Sequence, residues 1–165
     1  MSALLAGVEA PEINLKGVDG ATFSLRDALK KSPVLAAFFK VSCPVCQMAF
    51  PYVERLFQAY GKRGKAKVIG VSQDNASDTR AFTREFGVTF SVLLDEKSYA
   101  VSRAYGLTNV PTLFLISPAG EIEMTLVSWS KAEMEELGSR LAEINGTPAA
   151  EIFRRGEKVP EFRPG

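Results

Sequence analysis

Cys43 and Cys46 are the only cysteines in 165 residues, and they stand in the stretch FFKVSCPVCQMAFP, Phe38 to Pro51. Two thiols three residues apart suit three kinds of chemistry. They can serve a metal knuckle, a peroxide-reducing cysteine with a neighbour, or a dithiol that trades electrons with other disulfides. A structural zinc site takes about four ligands, and the chain has no histidine and no third cysteine to complete one. An iron–sulfur cluster within one chain fails for the same reason. No metal and no cofactor are therefore expected beyond the Cys43–Cys46 pair itself. Without histidine there is also no Ser–His or Cys–His relay. Chemistry falls to thiols, carboxylates, Lys, Tyr or the backbone.

The surroundings of the pair favour exchange. PVLAAFFK, Pro33 to Lys40, is a nearly continuous apolar run that suits a central strand covered on both faces. After the cysteines, Met48, Val53, Leu56, Phe57 and Tyr60 fall on one helical stripe that Gly61 ends, with a kink expected at Pro51. Cys43 thus lies where a buried strand hands over to a helix, the place where reactive groups gather in open α/β sheets. Free N–H groups and the positive helix end favour an anion there, so a lowered thiol pKa is expected for Cys43. Cys46 lies one turn deeper on the same face and can resolve a mixed disulfide on Cys43. Pro44 fits the first turn, where its missing N–H is harmless. Lys40 is the nearest basic side chain, able to favour the thiolate if it turns inward and otherwise a solvated strand end. Gln47 is expected beside the dithiol, and Tyr105 to pack there.

The rest of the chain supplies the frame. Ile13–Lys16 and Ala21–Leu25 are two extended pieces around the Asp19-Gly20 turn, an N-terminal hairpin. AKVIGVS is a buried strand, and NASDTRAFTREFG a helix capped by Asn75 and stopped by Gly87. FSVLL is a short strand, followed by a helix capped by Asp95 and ending at Gly106. TLFLIS and EIEMTLV form a hairpin around PAG. Ser130 and Glu133 make a capping box for a last helix carrying Met134, Leu137, Leu141 and Ile144, closed by Gly146. We expect one domain over residues 1–146 and an extended tail over 147–165, held by anchors such as Phe153 and Phe162. Mixed βαβ units ending in a hairpin and a helix describe a three-layer α/β/α sandwich.

Composition narrows the partners. The chain is 46% hydrophobic with 20 basic against 19 acidic residues, a formal charge of +1. That balance offers no field for nucleic acid or an anionic membrane, and no apolar run is long enough to span a bilayer. MSALLAGVEAPE is not a complete secretory signal. A cytoplasmic location is expected, or a periplasmic or extracytoplasmic one if an export signal has been removed.

Together, GVEAPEINLKGVDGATFSL, FFKVSCPVCQMAFP, VIGVSQDN, FGVTFSVLLDE and AYGLTNVPTLFLISPAGEI resemble the thioredoxin-like superfamily. The likeness is to the redoxin branch that joins thiol–disulfide oxidoreductases of the cytochrome-c-maturation type to peroxiredoxins. It covers about residues 7 to 145. The resemblance implies an α/β thioredoxin-like sandwich with a central mixed sheet. It also implies that Pro111 is cis and lies opposite the dithiol, leaving the Val110 backbone free to pair with an extended substrate peptide. On spacing alone Pro111 also reads as an ordinary strand-start proline. Peroxiredoxins resemble P-x-x-x-T/S-x-x-C, but counting back from Cys43 meets Ala36 and Lys40, and from Cys46 meets Phe39 and Cys43. A proline and a hydroxyl are missing in both registers, and Arg103 is only a distant substitute for the peroxide-polarising arginine.

The match departs from the oxidoreductase pattern at three places: Ala37 stands where thioredoxins bury an acid, Ala49 where the cytochrome-maturation type has a glutamate, and Ser42 where a tryptophan usually precedes the first cysteine. The obvious proton acceptor for Cys46 is gone. The reading is a thiol–disulfide oxidoreductase with Cys43 attacking and Cys46 resolving. A peroxiredoxin-like thiol peroxidase and a non-catalytic protein-binding module are the alternatives. Expected partners are a protein or small thiol/disulfide substrate and an upstream electron donor or acceptor, around a monomer or weak dimer.

Overall fold

A computed structural model describes residues 2–165. Its N-terminal part pairs β1 (Asn14–Lys16) antiparallel with β2 (Thr22–Ser24), as the hairpin reading expects. The second strand stops earlier than expected, because Ser24 accepts from the Asp27 amide at 3.3 Å and starts a short helix, α1 (Leu25–Leu29). Leu25 and Leu29, one turn apart, both turn inward.

The central sheet has five strands in the order β5-β4-β3-β6-β7. Strands β3 (Val34–Phe39), β4 (Lys67–Ser72) and β5 (Ser91–Leu94) run parallel, while β6 (Thr112–Ile116) and β7 (Ile122–Val127) are antiparallel additions. All six residues of β3 are buried, as expected of a middle strand with helices on both faces. Its alternation sorts two cores. Leu35, Ala37 and Phe39 join Cys46, Phe50, Val53 and Leu56 of α2 (Pro44–Tyr60), Phe82 of α3 (Ala76–Phe86), and Leu137 and Leu141 of α5 (Lys131–Asn145). Val34, Ala36 and Phe38 face the hairpin, α1 and α4 (Ala100–Ala104). This is the three-layer thioredoxin-like sandwich with its mixed sheet. Beneath the dithiol helix, the Phe39 ring stands 4.4 Å from that of Phe50 and 4.7 Å from that of Phe82. Burying each such ring stabilises the fold by roughly 1.5–3 kcal/mol.

Most helix ends sit where the local signals place them. Asn75 accepts from the Asp78 amide at 2.8 Å and Ser130 from the Glu133 amide at 3.2 Å. Gly87 and Gly146 close their helices with φ of 67° and 65°, a conformation that favours glycine. Helix α2 runs unbroken through Pro51. Asp95 behaves differently from expectation. It is not the residue flanking α4, which starts after Tyr99. Its buried carboxylate instead reaches over the loop and accepts from the Val101 amide at 3.2 Å and the Ser102 amide at 2.7 Å. It still satisfies the free amides of the first turn, from six and seven residues away.

The segment after α5 folds back along the molecule. Ile152 is buried, and Phe153 packs on Tyr52 and Trp129 with ring separations of 5.2 and 6.0 Å. Arg55 of α2 grips both carboxylate oxygens of Glu157 at 2.7 Å and holds that carboxyl down to about 2. Trp129 Nε1 donates to the Pro160 carbonyl at 2.7 Å, and the Lys131 amide to that of Glu161 at 3.0 Å. A two-residue ladder follows, β8 (Trp129–Ser130) with β9 (Phe162–Arg163). Phe153 is therefore an anchor. Phe162 is not: it is 61% exposed, and its backbone is what pairs.

Candidate active site

Cys43 is itself the N-cap of α2, with extended backbone at φ −84°, ψ 113°. Its Sγ accepts from the Cys46 amide at 3.2 Å, and its carbonyl from the Gln47 amide at 3.0 Å. Both thiols are free, Cys43 half-buried and Cys46 fully buried. The two thiols thus differ in access, Cys43 partly open to solvent and Cys46 closed off beneath it. Pro44 occupies the first helical position, where no amide is needed.

Opposite the dithiol, the Val110–Pro111 bond is cis, Pro111 is buried, and the Cys43 thiol donates to the Val110 carbonyl at 3.4 Å. Cys43, Cys46, Pro44, Val110 and Pro111 are thus brought together. Lys40 is not turned onto the thiol. Its side chain is exposed and pairs with no carboxylate among the described residues, while its carbonyl accepts the Cys43 amide at 3.2 Å. Gln47 does sit beside the site, its Nε2 donating to the Val41 carbonyl at 2.9 Å. Tyr105 belongs to the opposite face of the sheet, against Phe38 and Phe114, and its hydroxyl donates to the Pro11 carbonyl at 2.7 Å. Helix α4 packs across the far layer, so a tyrosine at its end cannot reach the dithiol.

Ala37 and Ala49 are both buried in the Cys46 core. The floor of the site is therefore apolar at both positions where the resemblance leads us to expect an acid. Burial, first of all, pushes the Cys46 thiol above the ordinary thiol range. The hydrogen bond with the Cys43 side chain acts the same way, as do the smaller effects of the Cys43 and Asp74 charges, against a backbone hydrogen bond at Lys40 that lowers it.

Asp74 is the residue that sequence reasoning missed. Its half-buried carboxylate accepts from the Val41 amide at 2.8 Å, and its own amide donates to Ser72 Oγ at 3.1 Å. Asp74 and Gln47 thus hold the two polar groups of Val41, in the loop that delivers Cys43. The signal was register. β3 and β4 are parallel with Phe39 opposite Ser72, so the residues two beyond each strand end, Val41 and Asp74, fall side by side. Asp74→Asn keeps an acceptor for Val41 and removes the charge. It is expected to cost under about 1 kcal/mol of stability and to move the pH profile of the resolving step to lower pH. Asp74→Ala, which strands the Val41 amide, is expected to cost about 1–3 kcal/mol. Urea midpoints and the pH profile of mixed-disulfide resolution measure both.

A thioredoxin fold with a C-x-x-C dithiol on a helix N-terminus facing a cis-proline loop defines the class: thioredoxin-like proteins of the redoxin branch. The chain belongs to the AhpC/TSA family, whose model matches residues 6–125. It is 31% identical over 118 residues to the thiol-disulfide oxidoreductase ResA of Halalkalibacterium halodurans, covering 71% of this chain and 65% of that protein. It is also 31% identical over 134 residues to the putative peroxiredoxin bcp of Helicobacter pylori, covering 74% and 88%. Among solved structures, a putative thiol:disulfide interchange protein DsbE from Chlorobium tepidum is 28% identical with a TM-score of 0.76, covering 87% of this chain and all of that one. No helix among the described residues is long and apolar enough to cross a membrane.

Proposed function

We propose that this protein is a thiol–disulfide oxidoreductase that acts on disulfides of protein or small-thiol partners. One observation carries the reading: an accessible thiol on a helix N-cap touches the Val110 carbonyl, and a second thiol lies buried one turn below it. Cys43 gives up its proton and attacks one sulfur of the partner disulfide. A Cys43–partner bond forms, the partner S–S bond breaks, and the departing thiolate takes up a proton. Cys46 then loses its proton and attacks Cys43 Sγ, which closes the Cys43–Cys46 disulfide and releases the second partner thiol. Two electrons and two protons pass to the partner; a separate donor of the same dithiol class returns the pair to its reduced state.

The residues around the cysteines favour exchange over peroxide reduction. A peroxidase needs a hydroxyl and a proline ahead of its reactive cysteine, and here those positions hold Lys40 and Ala36 in one register, Cys43 and Phe39 in the other. The test is to treat the reduced protein with oxidised glutathione and count thiols over time. The expected result is that both thiols vanish together as an internal disulfide, while hydrogen peroxide is consumed no faster than by an ordinary free thiol. Unreactive cysteines in the folded protein would leave a binding module; catalytic peroxide turnover would make it a peroxidase.

A further inference from the structure

The Val110 carbonyl has two close neighbours. Cys43 Sγ lies 3.4 Å away. Gly165 is packed so closely that a Cβ built there would collide with the Val110 carbonyl oxygen and lie 3.3 Å from Pro111 Cδ. The Gly165 amide donates to Ser128 Oγ at 3.0 Å, and Asn109 Nδ2 donates to the Gly165 carbonyl at 3.1 Å. Just upstream, Phe162 and Arg163 pair antiparallel with Ser130 and Trp129. The segment is held by its backbone, for residues 161–165 are all exposed. Recognition of main chain along a strand edge is the way an added peptide strand binds.

We propose that Phe162–Gly165 is a tethered occupant of the strip formed by Asn109, Val110 and Ser128, the edge at which the Val110 backbone is expected to receive an extended partner peptide, and that such a peptide must lack a side chain over Val110. The inference rests on the thiol-exchange reading and adds to it which side chains receive the partner's backbone and what the partner must displace. The division of labour in the tail supports it. Through Glu161 the tail is fastened by the Arg55–Glu157 pair, the Trp129–Pro160 hydrogen bond and the Lys131–Glu161 hydrogen bond. Beyond Glu161 it is exposed and held by a two-residue ladder and two hydrogen bonds. Such a segment opens locally without unfolding its anchor. The anchor also keeps it near the strip at high effective concentration. It therefore competes with any peptide that binds there, and leaves free a small disulfide that needs only the Cys43 sulfur.

Two substrates separate these cases: 2-hydroxyethyl disulfide, and an extended glycine-containing octapeptide carrying one cysteine as its glutathione mixed disulfide. A chain stopped after Glu161 keeps every anchor named above. Its KM for the octapeptide is expected to fall about threefold, the factor for a strip left open in roughly one molecule of three, with the small-disulfide rate unchanged. Full-length Gly165→Val, whose added side chain cannot fit against Val110, is expected to behave the same way. Adding the free peptide KVPEFRPG, residues 158–165, to the shortened chain is expected to raise the KM again. An octapeptide KM that is unchanged or higher in both variants overturns the proposal while exchange itself stands. An unaltered protein that reacts with neither substrate overturns the exchange reading, and this inference with it.

Discussion

Cys43→Ser is expected to lose disulfide exchange by on the order of a thousandfold or more, since no other group on the chain can replace the nucleophile. Cys46→Ser is expected to do something different: it captures its partner and fails to release it. The geometry separates the two roles, because Cys43 is the half-exposed thiol at the helix start and Cys46 is fully buried beneath it. Non-reducing electrophoresis of Cys46→Ser with a disulfide partner should show a covalent adduct that dithiothreitol dissolves, and Cys43→Ser should show none. The wild-type resolving step should also depend steeply on pH. Burial is the main cause of the raised Cys46 pKa, and it persists in the mixed disulfide, where the Cys43 contributions change. The thiolate fraction of Cys46 then rises about tenfold per pH unit through neutrality, and the resolving rate follows it. A mixed disulfide that resolves at the same rate at pH 6 and pH 8 would remove Cys46 from this role.

Trp129→Ala carries the largest expected loss of stability. Trp129 is 1% exposed, lies against the rings of Tyr52 and Phe153, and donates to the Pro160 carbonyl at 2.7 Å. Truncating a buried aromatic of this size costs about 3–5 kcal/mol, a large part of the roughly 5–15 kcal/mol that holds such a domain together. Trp129→Phe keeps most of the packing and loses the indole hydrogen bond, so a cost of about 1–2 kcal/mol is expected. Urea unfolding gives both numbers. Trp129 joins the end of β7 to the tail, so limited proteolysis of Trp129→Ala should cut first within residues 150–165. Cleavage inside α3 or β5 instead would mean that the indole holds the whole sheet and not the tail.

What could be read from the chain was what short range determines. The apolar run at Val34–Phe39, the Asn75 and Ser130 caps and the glycine stops at 87 and 146 depend on residues within a turn or two of each other, and each is found in place. The Cys43–Cys46 spacing belongs to the same class, because one helical turn sets the geometry. The unread features all depend on contacts across the fold. Asp95 serves amides six and seven residues on, over a loop whose left-handed residues Lys97 and Tyr99 leave no periodic trace. Asp74 meets Val41 only through the β3–β4 register. Tyr105 reads as a neighbour of the dithiol until the crossover places α4 on the other face of the sheet. The β8–β9 ladder joins residues more than thirty apart, each side a mere dipeptide, with no alternation to announce it.

The sulfur that accepts the first amide of α2 is also the sulfur that would carry the electrons. Secondary structure and redox poise are thus coupled through one atom. A hydrogen bond of this kind is worth about 1 kcal/mol to the form that makes it best, and on a two-electron couple that is about 20 mV. It weakens when the sulfur enters a disulfide, so this contact by itself favours the reduced state and moves the potential of the pair upward by that amount. Every substitution that frays the first turn of α2 would therefore be read twice, once in an unfolding curve and once on an electrochemical scale.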